Sequence, residues 1–157
     1  MLISDLDRPR ALLLDTHLWI WASGNRGGLA SFASWIAPKI EAAARERRLF
    51  VCAASVWEIA LKAQRGELLV TGDLRRWVHS QRIHPCVRIL VVNSTLAIDA
   101  TVLPPWTRKS DGKPHKDPCD RFLVAAARHH GAVLLTCDEL IVEYAREGHV
   151  LACDARR

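Results

Sequence analysis

The sequence predicts one α/β domain built on a mainly parallel sheet, and three observations predict it. Short apolar runs of strand length recur at Ala11–Leu14, Leu49–Ala54, Val87–Val92 and Ala132–Thr136. Segments with apolar residues every three or four positions lie between them, so strand and helix alternate along the chain. No repeat or linker divides the 157 residues, so 1–157 is expected to be a single domain with its core at about 11–153.

Each element has a local cause. Ala11–Leu14 reads as a short central strand, and Trp19-Ile20-Trp21 turns the chain at once into a helix. Asn25–Gly28 is a loop. Leu29, Phe32, Ala33, Ile36, Ile40 and Ala43 then mark an amphipathic helix to about Glu46, which Pro38 is expected to kink or split. After the strand Leu49–Ala54, Ser55 and Glu58 have capping-box spacing, and Gly66 stops the helix that follows. Asp73–Gln81 is a short helix, Val87–Val92 a strand, and Ser94 or Thr95 caps a helix ended by Pro104-Pro105. Trp106–Lys116 is a polar, basic loop. Pro118 opens a helix that Gly131 closes, and Ala132–Thr136 is the fourth strand. A helix over Asp138–Arg146 and a short strand over His149–Cys153 complete the chain.

Half of the residues are apolar and a quarter charged, which is a globular composition and excludes disorder. The net charge of +5 favours an anionic partner, nucleic acid before a membrane surface. The five cysteines form no CxxC pair, which excludes a zinc knuckle or redox dithiol and suits a reducing compartment. No apolar stretch reaches the length of a membrane span or a signal peptide, so no membrane association is expected and the cytoplasm is the expected location. Walker and GxGxxG motifs are absent, Ser55 and Ser94 lack a nucleophile elbow, and Asp15-Thr16-His17 lacks the second Asp of an aspartyl-phosphate phosphatase.

In this basic chain the acids at junctions stand out. Asp15 ends the first strand, Glu58 follows the second, Asp120 lies near a helix start, and Asp138 follows the fourth strand. Open α/β sheets bind ligands beyond their strand ends. Two carboxylates about 5 Å apart repel by roughly 3 kcal/mol at an effective dielectric near 20, and a divalent cation is the simplest compensator. One reading is therefore a metal-dependent enzyme acting on phosphate esters. The other is that Asp120 and Asp138 are ordinary N-terminal helix residues and Glu58 completes a capping box. Spacing alone leaves both open.

The segments Leu12-Leu13-Leu14-Asp15-Thr16-His17, Ser55-Val56-Trp57-Glu58-Ile59-Ala60-Leu61-Lys62 with Gly66-Glu67-Leu68, His115-Lys116-Asp117-Pro118-Cys119-Asp120-Arg121 and Leu134-Leu135-Thr136-Cys137-Asp138 together resemble the PIN-domain family. They resemble above all the ribonuclease toxins of type II toxin–antitoxin modules (VapC-like). The resemblance runs in order from about Leu12 to Glu143, and each motif is weak alone. It implies a three-layer α/β/α fold around a central, mainly parallel sheet of four to five strands. It also implies a Mg²⁺- or Mn²⁺-dependent endoribonuclease whose catalytic, metal-holding acids are Asp15, Glu58, Asp120 and Asp138. Asp117 matches an extra acidic residue before the helix, and Thr136, with Thr16, supports the site. The resemblance further implies a homodimer, or a hetero-oligomer with a cognate antitoxin whose C-terminal segment occupies the acidic groove. Cys119 departs from the pattern, standing where a large apolar residue is usual, as does the ten-residue lead before the first strand.

RNA would be met by Arg121, Lys62, Arg108, Lys109, Lys113 and Lys116. Arg121 is expected either to clamp phosphate with its planar guanidinium or to form a salt bridge to Asp117 or Glu58. Lys62 is one turn past Glu58 and suited equally to a local pair. His17 and His115 flank candidate ligands without an evident partner. Trp57 and Trp21 are expected in the core or at a dimer contact, and Trp106 is the ring expected to meet RNA. Two other functions fit the same residues: a non-catalytic PIN-like RNA-binding or complex-forming protein, and a metal-dependent DNA nuclease or phosphatase.

Overall fold

The computed structural model describes residues 10–22, 34–69, 72–80, 87–109 and 111–156. Five strands form one sheet in the order β3-β2-β1-β4-β5, with every neighbouring pair parallel. They are β1 (Leu12–Leu14), β2 (Leu49–Cys52), β3 (Arg88–Leu90), β4 (Val133–Thr136) and β5 (Ala152–Asp154). The helices are α1 (Thr16–Ala22), α2 (Ile36–Arg45), α3 (Ala53–Gln64), α4 (Leu74–Ser80), α5 (Ser94–Thr101), α6 (Pro118–His129) and α7 (Glu139–Arg146).

The two-residue alternation of the strands makes the three layers. Leu12, Leu14, Leu49, Val51, Val133 and Leu135 point to one face, where they bury Leu18 and Trp19 of α1, Ile36 and Ile40 of α2, and Trp77 and Val78 of α4. Leu13, Cys52 and Leu134 point to the other, against Leu96 of α5, Leu123 and Ala126 of α6, and Ile141 and Tyr144 of α7. Such two-sided burial is why the strands read as continuous apolar runs.

Several boundaries differ from expectation. Pro38 neither kinks nor splits α2, because the helix begins at Ile36 and proline lies in its first turn, where no amide donor is needed. The expected start of that helix at Leu29 and the Asn25–Gly28 loop lie outside the described residues. Strand β2 stops at Cys52 and α3 follows without a loop, so Ser55 is inside the helix and the capping box does not form. The Ser55 hydroxyl is instead buried without a hydrogen-bond partner. Asn93, one residue earlier than expected, caps α5 through Leu96 N at 2.9 Å. Strand β5 covers Ala152–Asp154 instead of His149–Cys153. Gly66 and Gly131 follow α3 and α6 with φ of +73° and +59°, the left-handed turn that suits glycine.

Candidate active site

The chain runs from β1 outward to β2 and β3 on one side, then to β4 and β5 on the other. The ends of β1 and β4 therefore flank the topological switch point, where open α/β sheets leave a crevice. Leu14 is in register with Leu135, and Asp15 N–H donates to Leu135 O at 3.0 Å, which aligns Asp15 with Thr136. Asp15 is buried, at 4% exposure. Thr136 Oγ1 donates to Asp15 Oδ2 at 2.5 Å and accepts from Asp138 N at 2.9 Å. One buried hydroxyl thus ties together the acids that end β1 and follow β4.

Asp138 caps α7, with Oδ1 accepting from Leu140 N at 2.7 Å and Ile141 N at 3.2 Å. Asp117 caps α6 in the same manner, its Oδ1 accepting from Cys119 N at 2.8 Å and Asp120 N at 3.3 Å. Both acids are caps, yet both make these bonds through Oδ1 alone, leaving Oδ2 outside them. Asp120 and Glu58 are not caps. Asp120 Oδ2 lies 2.8 Å from His115 Nε2, and Glu58 Oε1 lies 3.4 Å from Lys62 Nζ across one turn of α3. His17 Nδ1 approaches Asp15 Oδ1 at 4.0 Å.

The acids share one field. Burial, then the charges of Asp117, Asp138, Asp15 and Glu58, push the Asp120 carboxyl up to about 8. Burial also raises Asp15, opposed by the Thr136 hydrogen bond and His17 and reinforced by Glu58 and Asp138. Burial, then the neighbouring carboxylates, pushes the Cys119 thiol up to about 12, which makes it a neutral packing group and not a nucleophile. Its Sγ donates to Ala54 O at 3.9 Å, joining α6 to α3.

The donor set is all oxygen, the chemistry preferred by Mg²⁺ or Mn²⁺. Among the described residues, however, no three His, Cys, Asp or Glu side chains form a ready metal cage. Each acid already has a partner: Thr136 for Asp15, Lys62 for Glu58, His115 for Asp120, and helix amides for Asp117 and Asp138. The residues fit a hard divalent cation in kind and charge, with Asp120 Oδ1 outside the His115 contact and Glu58 needing to turn from Lys62 toward the cation.

The PIN-domain family matches residues 12–147. The chain belongs to the PIN-domain family. No curated protein sequence matches it. Solved structures similar to this PIN domain include VapBC2 from Rickettsia felis bound to a promoter DNA fragment, at 12% identity and a TM-score of 0.61, covering 92% of this chain and 98% of that one. FitAcB from Neisseria gonorrhoeae is 21% identical with a TM-score of 0.61, covering 92% and 97%. VapC20 of Mycobacterium tuberculosis, a sarcin–ricin loop cleaving toxin, is 17% identical with a TM-score of 0.56, covering 89% and 97%. At these identities the likeness is one of fold.

Other sequence-predicted residues of the PIN domain fall in distinct places. Arg121 does not make the expected salt bridge to Asp117 or Glu58. Its guanidinium donates to Ala100 O at 2.8 Å, Thr101 O at 3.2 Å and His115 O at 3.4 Å, covering the carbonyl end of α5. Lys109 reaches Glu143 and Glu147 of the α7 region at 3.7 and 3.8 Å, and Arg108 reaches Asp111 at 2.7 Å. Arg108, Lys113 and Lys116 line a cleft of about 540 Å³ with Pro114, His115, Asp117 and Leu140. The Thr16 hydroxyl, at the first residue of α1, is buried without a hydrogen-bond partner.

One tryptophan expectation is overturned. Trp106 is buried, stacked on Tyr144 at 4.4 Å and tilted against His115 at 4.2 Å, so the ring is not offered to RNA. Of the two places expected for Trp57, the 55% exposure removes the core and leaves the dimer contact, while Trp21 packs partly buried on the α1 side. His115 has a partner the sequence did not reveal, Asp120. The available signal was position: a residue just before a helix can fold back onto its first turn.

Proposed function

We propose that this PIN domain is a Mg²⁺- or Mn²⁺-dependent endoribonuclease toxin that hydrolyses RNA phosphodiester bonds. One observation carries the reading: Asp15, Glu58, Asp117, Asp120 and Asp138 share a single field at the switch point of a PIN fold. Asp15, Glu58, Asp120 and Asp138 would hold the cation, with Asp117 beside them. A cation bound there would supply activation of water and neutralise charge on the phosphoryl oxygens. Thr136 would hold Asp15 and Asp138 in their relative places. Lys62, Lys113, Lys116 and Arg108 would offset the phosphate charge from the rim, while Arg121 holds α5 against α6. The similarity to a sarcin–ricin loop cleaving toxin supports RNA as the substrate.

The protein would act in the cytoplasm as a single domain and, by the family resemblance, as a homodimer or in a hetero-oligomer with a cognate antitoxin. No helix among the described residues is long and apolar enough to cross a membrane. A second reading, a non-catalytic RNA-binding or complex-forming PIN protein, is favoured by the acids being turned to local partners.

The test is incubation of total cellular RNA with the purified, antitoxin-free protein in Mn²⁺ or Mg²⁺, beside an EDTA control and Asp15→Asn. Discrete fragments that require both cation and Asp15 are expected. RNA binding without cleavage in any lane would move the assignment to the non-catalytic reading. Cleavage of duplex DNA or small phosphate esters in preference to RNA would make it a different phosphohydrolase.

A further inference from the structure

We propose that His115 is a positioning residue for the acidic site, holding Asp120 through Oδ2 so that its other carboxylate oxygen is offered to a divalent cation. This rests on the reading of the acids given above. Asp120 is in the first turn of α6, and its side chain has two rotatable bonds. Four carboxylates repel it, so without an attachment it would swing toward water. His115 Nε2, at 2.8 Å from Oδ2, is that attachment.

The imidazole is itself tightly held. It is buried, and Trp106 covers it at 4.2 Å. The His115 backbone N–H donates to Trp106 O at 2.7 Å, and its backbone carbonyl accepts from Arg121 Nη1 at 3.4 Å. Trp106 stacks in turn on Tyr144 of α7, and the Tyr144 hydroxyl donates to Pro104 O at 2.8 Å. Helix α7 is the helix capped by Asp138. The stack therefore links the residue that holds Asp120 to the helix that Asp138 caps, through rings instead of flexible chain. An apolar side chain would fill this stack as well as imidazole does. What imidazole adds is a ring nitrogen aimed at the carboxylate, the role partners of metal-binding groups play, with losses of about 10–100-fold in metal affinity or activity when removed.

The test is Mn²⁺ titration by calorimetry of the wild-type protein, His115→Gln, His115→Asn and His115→Phe, with thermal melts in EDTA. Glutamine places an amide N–H near the position of Nε2, whereas asparagine is too short. We expect His115→Asn and His115→Phe to bind Mn²⁺ about 10–100-fold more weakly, with His115→Gln within a few-fold of wild type. In RNA cleavage at limiting Mn²⁺, kcat should fall for Asn and Phe with KM for RNA unchanged, and excess Mn²⁺ should restore it. Should His115→Phe fail to fold, the Gln and Asn pair decides, because both are small amides that differ in reach. Equal Mn²⁺ affinity of Gln and Asn, or wild-type affinity in all variants, would overturn the positioning role while leaving the site reading intact. No Mn²⁺ uptake by the wild-type protein would overturn both.

Discussion

Replacing Asp120 with asparagine should stabilise the cation-free protein while abolishing its activity. The Asp120 carboxyl is pushed from an ordinary 3.8 up to about 8, first by burial and then by four neighbouring acids. Because the folded pKa lies above the unfolded one, stability is fully present below about pH 4 and is lost as pH rises through about 8. The loss amounts to roughly 5–6 kcal/mol once the group is ionised. The side chain is only 20% exposed, so solvent screens it weakly. Asparagine removes that loss but keeps a buried amide costing about 1–3 kcal/mol, and it can still accept from His115. The net gain should be about 3 kcal/mol at pH 8, or roughly 6–12 °C in melting temperature for a chain of this size. The assay is a pair of thermal melts in EDTA from pH 5 to 9, read as variant minus wild type so that other titrating groups cancel. The difference should grow with pH, and Mn²⁺ should shrink it by stabilising wild type alone. A difference that is flat with pH, or a variant melting no higher than wild type at pH 8, would show that these carboxylates do not crowd one another.

Thr136→Val keeps the shape and removes the hydroxyl that serves Asp15 and Asp138 N–H, so it should cost about 3 kcal/mol in urea unfolding and lower Mn²⁺ affinity. A loss under about 0.5 kcal/mol would mean the bridge contributes nothing net. Arg121→Met should cost about 1–2 kcal/mol by leaving the carbonyls of Ala100 and Thr101 without their donor, with RNA affinity changed less than about twofold. A large loss of RNA affinity without loss of stability would restore Arg121 as a phosphate clamp.

The sequence was legible where the signal is local and repeated. Leu12–Leu14 and Val133–Thr136 declare buried strands by composition, and the acids after them follow from the fold class. It was misleading where a local pattern has two causes. Ser55 and Glu58 have capping-box spacing, but α3 starts at Ala53 because β2 passes into it without a loop. Asn93, Ser94 and Thr95 are all capping residues in succession, and only the backbone path chooses Asn93. It was silent where partners come from distant segments. Arg121 finds carbonyls about twenty residues earlier, and Trp106 finds Tyr144, which no periodicity joins. Strands and acids are therefore readable from spacing, whereas the choice of side-chain partner is made by packing.

That packing also explains why so acidic a site occurs in a chain of net charge +5. Several positive side chains near the site are engaged elsewhere: Arg121 on the end of α5, Lys109 on Glu143 and Glu147, and Arg108 on Asp111. Among the described residues, Lys62 on Glu58 is the one Lys or Arg ion pair made with the five clustered acids. Asp15 is buried beyond reach of bulk screening, and its hydroxyl partner Thr136 lowers the cost of its charge without cancelling it. A phosphodiester approaching such a cluster would be repelled by several kcal/mol at contact distances. Net positive charge on the rim can draw RNA in from afar, but screening confines that attraction to about 8–10 Å and it does not neutralise the centre. Neutralisation must come from a charge that reaches the carboxylates themselves. Their all-oxygen donor set would suit a hard divalent cation, which can meet several carboxylates at once where a lysine such as Lys62 meets only Glu58.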